Sequence, residues 1–120
     1  MYYSFEDLDV WKRDCQLAVR VYQILEGCRD FGLKDQMQRA AVSIASNIAE
    51  GAERGPKEFA HFLIIARGSA AELRTQAYIA AKINSIKSTE MNEITEATKQ
   101  LAKMLYALSK SLKPELKTEN

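Results

Sequence analysis

Residues 91–112 read MNEITEATKQLAKMLYALSKSL, and the apolar positions in this stretch decide the fold. Met91, Ile94, Thr98, Leu101, Leu105, Leu108 and Leu112 recur at alternating intervals of three and four. That spacing lines them up along one face of an α-helix. The same period returns three times upstream. Phe59, Phe62, Leu63, Ala66, Ala70, Leu73, Ala77, Ala80 and Ile83 mark a helix opened by Pro56, with Ile64 and Ile65 carrying apolar surface toward a second side. Leu33, Met37, Ala40, Ile44 and Ile48 mark another, from about Leu33 to Arg54, beside a ridge of small residues at Ala41, Ala45 and Ala49. The first helix carries two stripes: Leu8, Trp11, Cys15, Ala18, Tyr22, Leu25 and Cys28, and beside them Val10, Leu17, Val21 and Ile24.

Punctuation between the stripes is sparse but well placed. Ser4 and Asp7 are spaced like a capping box ahead of the first helix. Gly27 and the Arg29–Gly32 stretch end that helix, with Gly32 free to take positive φ. Gly51, Gly55 and Pro56 separate the second from the third, and Pro56 suits a first helical turn because its missing N–H has no partner there. Asn84–Thr89 reads as the last turn, with Ser88 or Thr89 as cap. Pro114 is expected to end the fourth helix, leaving 4–113 as one domain and 114–120 as a polar tail. Helices of matched length with short connections predict an all-α fold, an antiparallel up-down-up-down four-helix bundle.

Composition narrows the function classes. The 120 residues carry 17 Lys+Arg against 16 Asp+Glu, with one His and two Cys. The apolar run Phe62–Ala66 is far too short to cross a membrane, which takes ~20 residues. No basic-then-apolar leader opens the sequence, so a cytoplasmic location is expected. Cys15 and Cys28 both fall on the apolar stripe and read as small core hydrophobes. A single His, with no CxxC pair, argues against a metal site. His61 reads as a packed or interface residue. Neither a Ser-His-Asp nor a Cys-His arrangement can be assembled, and no glycine-rich phosphate loop is present. No catalytic residue, cofactor or small-molecule substrate is expected.

Two longer motifs carry a resemblance. Gln36–Gly51, QMQRAAVSIASNIAEG, continues to Arg54, and Glu58–Gln76 reads EFAHFLIIARGSAAELRTQ. With the opening FEDLDVW of Phe5–Trp11, these segments resemble the bacterial four-helix-bundle proteins encoded in 23S rRNA intervening sequences. The accessory variability protein of diversity-generating retroelements is similar to the same group. The resemblance covers about residues 5–112. It implies a ring-like homopentamer with RNA association and no catalytic residues. Two departures stand out: Gly55-Pro56 replaces the Ser or Thr that family members often carry there, and the chain is nearly neutral where the retroelement relatives are strongly basic.

Within the motifs, Asn47 and Glu50 neighbour one another on the second helix, while Arg67, Ser69 and Glu72 interrupt an apolar stretch on the third. One reading is an interhelical polar network that fixes register between Ala-rich surfaces. Another is a ligand or RNA site. Basic residues offer a further candidate. All seven Arg precede residue 75, and every cation beyond it is Lys. Arg13 and Arg20 share a face, as do Arg67 and Arg74, each pair spaced for phosphates ~10.5 Å apart. With Arg39 and Arg54 these residues are expected to contact either phosphate or another subunit. Residues 35–76 nevertheless hold five bases and five acids, a balance that also suits salt-bridged surface. The width of the apolar arc predicts self-association. RNA or a ribonucleoprotein is the expected partner, and a protein-binding scaffold is the alternative.

Overall fold

Ser4 takes extended backbone and accepts the Glu6 amide, but it caps only a single 3-10 turn, Phe5–Asp7. The first α-helix starts later, at Asp9, because Leu8 returns to extended backbone. Phe5 closes the turn by packing edge-on against Trp11, with ring centroids 5.3 Å apart. In this computed structural model residues 4–118 are described, with side chains to residue 112. Four helices follow: α1 (Asp9–Ile24), α2 (Phe31–Ala52), α3 (Pro56–Lys82) and α4 (Ser88–Thr118). Each packs on its neighbours in an antiparallel four-helix bundle, closed by contact between α1 and α4.

The connections differ in detail from the sequence expectations. Gly32 lies inside the first turn of α2 and takes no positive φ; Asp30 caps the helix instead, accepting the Leu33 amide at 3.1 Å. Gly55 is the glycine that needs its freedom, at φ 126° immediately before Pro56. At the last turn Asn84 takes the left-handed conformation. Neither Ser88 nor Thr89 precedes α4; Glu90 reaches back to the Lys87 amide at 2.9 Å and does the capping work. The helix also continues past Pro114 to Thr118. A proline at that position removes one i→i−4 hydrogen bond and crowds the carbonyl four residues back, a cost confined to the last turns of a long helix. Residues 119 and 120 of the expected tail lie outside the described residues.

Apolar burial holds the helices together. Val21, Leu25, Met37, Ile44, Ile48, Leu63, Leu73, Ile94, Leu101 and Leu105 are essentially sealed from solvent, and each such side chain contributes ~1.5–3 kcal/mol. On α1 the core face is the second stripe, Val10, Leu17, Val21 and Ile24. Within α1 the longer stripe lies toward the edge, with Tyr22 exposed and Cys15 half-buried; it turns inward only past the helix, at Leu25 and Cys28, so only Cys28 behaves as a core cysteine. α2 and α3 meet through small residues. An added Cβ on Gly51 would lie 2.6 Å from the Phe62 Cβ, so the two backbones approach as closely as glycine permits.

Candidate functional site

Apart from Thr98, whose hydroxyl donates back to the Ile94 and Thr95 carbonyls of its own helix, two polar intrusions into the bundle bear on the site. The first is the α2–α3 seam. Asn47 donates from Nδ2 to the Ser43 carbonyl at 2.8 Å and to its hydroxyl at 2.9 Å. The Ser43 and Ser69 hydroxyls bond each other at 3.0 Å. Asn47 and Ser69 therefore do belong to one interhelical network, with Ser43 as the link. Glu50, Arg67 and Glu72 are placed elsewhere. Glu50 points along its own helix to Arg54, Arg67 crosses to α4 and lies over the Tyr106 ring at 5.1 Å, and Glu72 lines a shallow groove with Gln36, Arg39, Ser43 and Gln76. Sequence spacing placed all five near the hairpin but could not say which way each side chain leaves its helix.

The second polar intrusion is Asp14, which is 0% exposed. Its Oδ2 accepts the Ala45 amide of α2 at 2.8 Å, while Oδ1 has no hydrogen-bond partner. The small ridge of Ala41, Ala45 and Ala49 leaves room for a side chain to reach that backbone. Burial pushes the Asp14 carboxyl up to about 7, partly offset by the amide bond; burial, with the charge of Asp14 as a lesser cause, also raises the neighbouring Cys15 thiol. Sequence reading passed over Asp14 because a carboxylate is ordinarily a surface residue. A signal existed: Val10, Asp14, Leu17, Val21 and Ile24 are spaced four, three, four and three, so Asp14 occupies a core position.

The arginines divide into two groups. Arg13 pairs with Asp9 at 3.2 Å, Arg39 with Asp35 at 2.9 Å, and Arg54 with Glu50 at 2.8 Å and Glu58 at 3.8 Å. Arg20 makes a two-pronged contact with Glu93 of α4, at 2.7 and 3.1 Å. That contact raises the arginine and holds the Glu93 carboxyl below its ordinary value. Arg13 and Arg20 both line a groove of about 660 Å³ between α1 and α4, floored by Leu17, Ala97 and Leu101. Four of the arginines read as phosphate or subunit contacts thus hold carboxylates within their own chain. Arg67 and Arg74 make no ion pair among the described residues.

Nothing in this arrangement points to catalysis. His61 is exposed on α3, edge-on to Phe62. Among the described residues no group of His, Cys, Asp and Glu could hold a metal ion. No helix among the described residues is long and apolar enough to cross a membrane.

No curated protein matches the chain. Among solved structures, a protein of unknown function from the S23 ribosomal protein family of Bacteroides thetaiotaomicron superposes with a TM-score of 0.77. The match covers 84% of this chain and 98% of that one at 24% identity, which is evidence of a shared fold. Residues 6–107 match the family model of the 23S rRNA-intervening sequence proteins. Spanning nearly the whole bundle, that match together with the fold places this chain in the 23S rRNA-intervening sequence protein family.

Proposed function

We propose that the chain is a non-enzymatic, self-associating helical module that works in the cytoplasm in contact with RNA or a ribonucleoprotein. The observation that carries the self-association is the outward face of α3. Ile64, Gly68, Ala71, Thr75 and Ile79 follow one another at helical spacing directly opposite its buried face. Ile64 is 60% exposed and Ile79 46%, and the stripe holds no charge. A second exposed apolar group, Val19, Tyr22 and Val42, lies on α1 and α2. Two unlike patches on different sides of one subunit suit head-to-tail contacts, which close into a ring when the rotation between subunits divides a full turn. Five copies is the number implied by the family resemblance. The RNA contact draws its support from the family, whose name ties it to 23S rRNA, and from the ribosomal-protein family of the structural neighbour.

Light scattering at micromolar concentration tests the assembly. Multimers are expected, and Ile64→Asp with Ile79→Asp should reduce them to monomers of unchanged helicity. A monomeric wild-type protein sinks this reading. The intramolecular ion pairs of Arg13, Arg20, Arg39 and Arg54 favour a second one, in which the assembly is a protein-binding scaffold. Binding to structured RNA as a function of salt separates the two. A log–log slope of several units supports phosphate contact, and no binding at ~50 mM salt supports the scaffold.

A further inference from the structure

The cations of α3 and α4 behave differently from the arginines of α1 and α2. Arg67 and Lys110 both lie over the Tyr106 ring, at 5.1 and 5.6 Å, and Lys82 lies over Tyr78 at 5.3 Å. Among the described residues none of Arg67, Arg74, Lys82, Lys99, Lys103 and Lys110 makes an ion pair. Helical spacing collects them on one side. Arg67 and Arg74 are two turns apart on the flank of α3 that meets α4, and Lys99, Lys103, Tyr106 and Lys110 follow at four, three and four on α4. Because the helices run antiparallel and Arg67 reaches Tyr106, Arg74 stands level with Lys99. The ridge from Lys110 to Lys82 is ~28 Å long at 1.5 Å per residue. Tyr78 is 56% exposed and Tyr106 47%. Glu93 and Glu90 leave α4 on its other flank, toward α1, and Glu96 is the acid that borders the ridge.

We propose that this α3–α4 ridge binds single-stranded RNA, an assignment that rests on the RNA-associated reading above and gives it an address. Unpaired cations would take the phosphates, while the rings of Tyr106 and Tyr78 and the guanidinium plane of Arg67 offer stacking surface to unpaired bases. A duplex hides its base faces, so exposed rings favour a single strand over a double one. Near-neutral net charge is no obstacle. The acids are concentrated where they neutralise the α1–α2 arginines, and the ridge keeps its positive field.

Fluorescence anisotropy with a labelled, unstructured 12-nucleotide RNA tests this. Tyr106→Ala should weaken binding five-fold or more, the loss of one stacked base, and Tyr106→Phe should restore it. Lys103→Glu with Lys110→Glu should weaken binding at least ten-fold and lower the log–log salt slope by ~1.4, two phosphate contacts at ~0.7 each. Lys12→Ala, which removes an exposed cation from α1, should bind as wild type. All substituted side chains are exposed, and circular dichroism checks that each variant remains folded. If wild type binds RNA and the ridge variants bind equally well, the ridge is wrong while the RNA reading survives. If wild type fails to bind at ~50 mM salt, both fall. Equal or tighter binding to duplex RNA, to DNA of the same sequence, or to an acidic peptide in place of RNA each overturns the assignment of this surface to single-stranded RNA.

Discussion

The α2–α3 seam and the packing of α1 solve the same problem in opposite ways. α2 and α3 approach through Gly51 and alanines, and the hydroxyls they bury, Ser43 and Ser69, bond each other. α1 drives a carboxyl into the interior, meets a backbone amide with one oxygen and leaves the other without a partner. Its outer edge is then tied to α4 by an exposed Arg20–Glu93 pair across an open groove. A buried unmet acceptor costs ~1–3 kcal/mol, whereas a matched hydroxyl pair is modestly favourable. Each seam nevertheless leaves one buried oxygen unmet, Asp14 Oδ1 on α1 and Gln76 Oε1 on α3, and only the first belongs to a group that can ionise. Loosening driven by rising pH should therefore begin at α1, where burial holds the Asp14 carboxyl up at about 7.

The largest expected effect follows from Asp14. Its carboxyl titrates at about 7 in the folded chain against an ordinary 3.8. A raised carboxyl stabilises the fold when protonated. That stability is fully present below about pH 4 and is lost as pH rises to ~7, after which the loss is constant. At 1.36 kcal/mol per pH unit the swing is about 4 kcal/mol. Asp14→Asn keeps an acceptor for the Ala45 amide and cannot ionise. Urea unfolding at pH 4, 5.5 and 7 should show wild type losing stability relative to Asp14→Asn across that range. A constant difference between the two would remove the contrast between the seams.

Next in size is Gly51→Ala. The new Cβ meets Phe62 and Phe59 side chains at 2.6–3.2 Å, and overpacking costs ~1–3 kcal/mol. Helix propensity returns up to ~1 kcal/mol. A net loss of ~1–2 kcal/mol is expected in the urea midpoint; a neutral or stabilised variant would show that the α2–α3 approach is not tight. The hydroxyl pair sharpens the comparison further. A double-mutant cycle on Ser43→Ala and Ser69→Ala cancels propensity and should leave a coupling of ~0.5–1 kcal/mol. Zero coupling would mean the 3.0 Å contact contributes nothing.

What the sequence discloses tracks how local the physics is. Four helices follow from apolar periodicity, a property of each segment alone. The local ion pairs were readable in the same way. Asp9–Arg13, Asp35–Arg39 and Glu50–Arg54 are each four residues apart, a spacing that pairs side chains along a helix, whereas Arg54–Glu58 reaches across the α2–α3 turn. Arg20–Glu93 spans 73 positions and depends on how α4 rotates against α1. The choice between the two α1 stripes was equally nonlocal. Both are apolar enough to be buried, and only the bundle shows that the one containing Asp14 faces inward. Likewise the motif residues near Gly55 were close in sequence terms, yet side-chain direction sent Asn47 to Ser43, Glu50 to Arg54 and Arg67 to Tyr106.

The Arg20–Glu93 pair carries the smallest effect and tests whether α1 is held at its rim. Both side chains are about half exposed, so water and salt screen their attraction. Glu93→Gln should lower the urea midpoint slightly with unchanged m, and ~1 M salt should erase the difference from wild type. The pH dependence has the opposite sign to that of Asp14. A lowered carboxyl stabilises the fold when ionised, so the contribution is present above the ordinary glutamate value and lost as pH falls through the depressed one. Acid therefore relieves the interior of α1 while it weakens the rim. Hydrogen exchange along α1 resolves the two: in wild type, protection near Asp14 should rise on acidification to pH 4 while Glu93→Gln leaves it unchanged. Protection at Arg20 should fall only at lower pH and only when Glu93 is present.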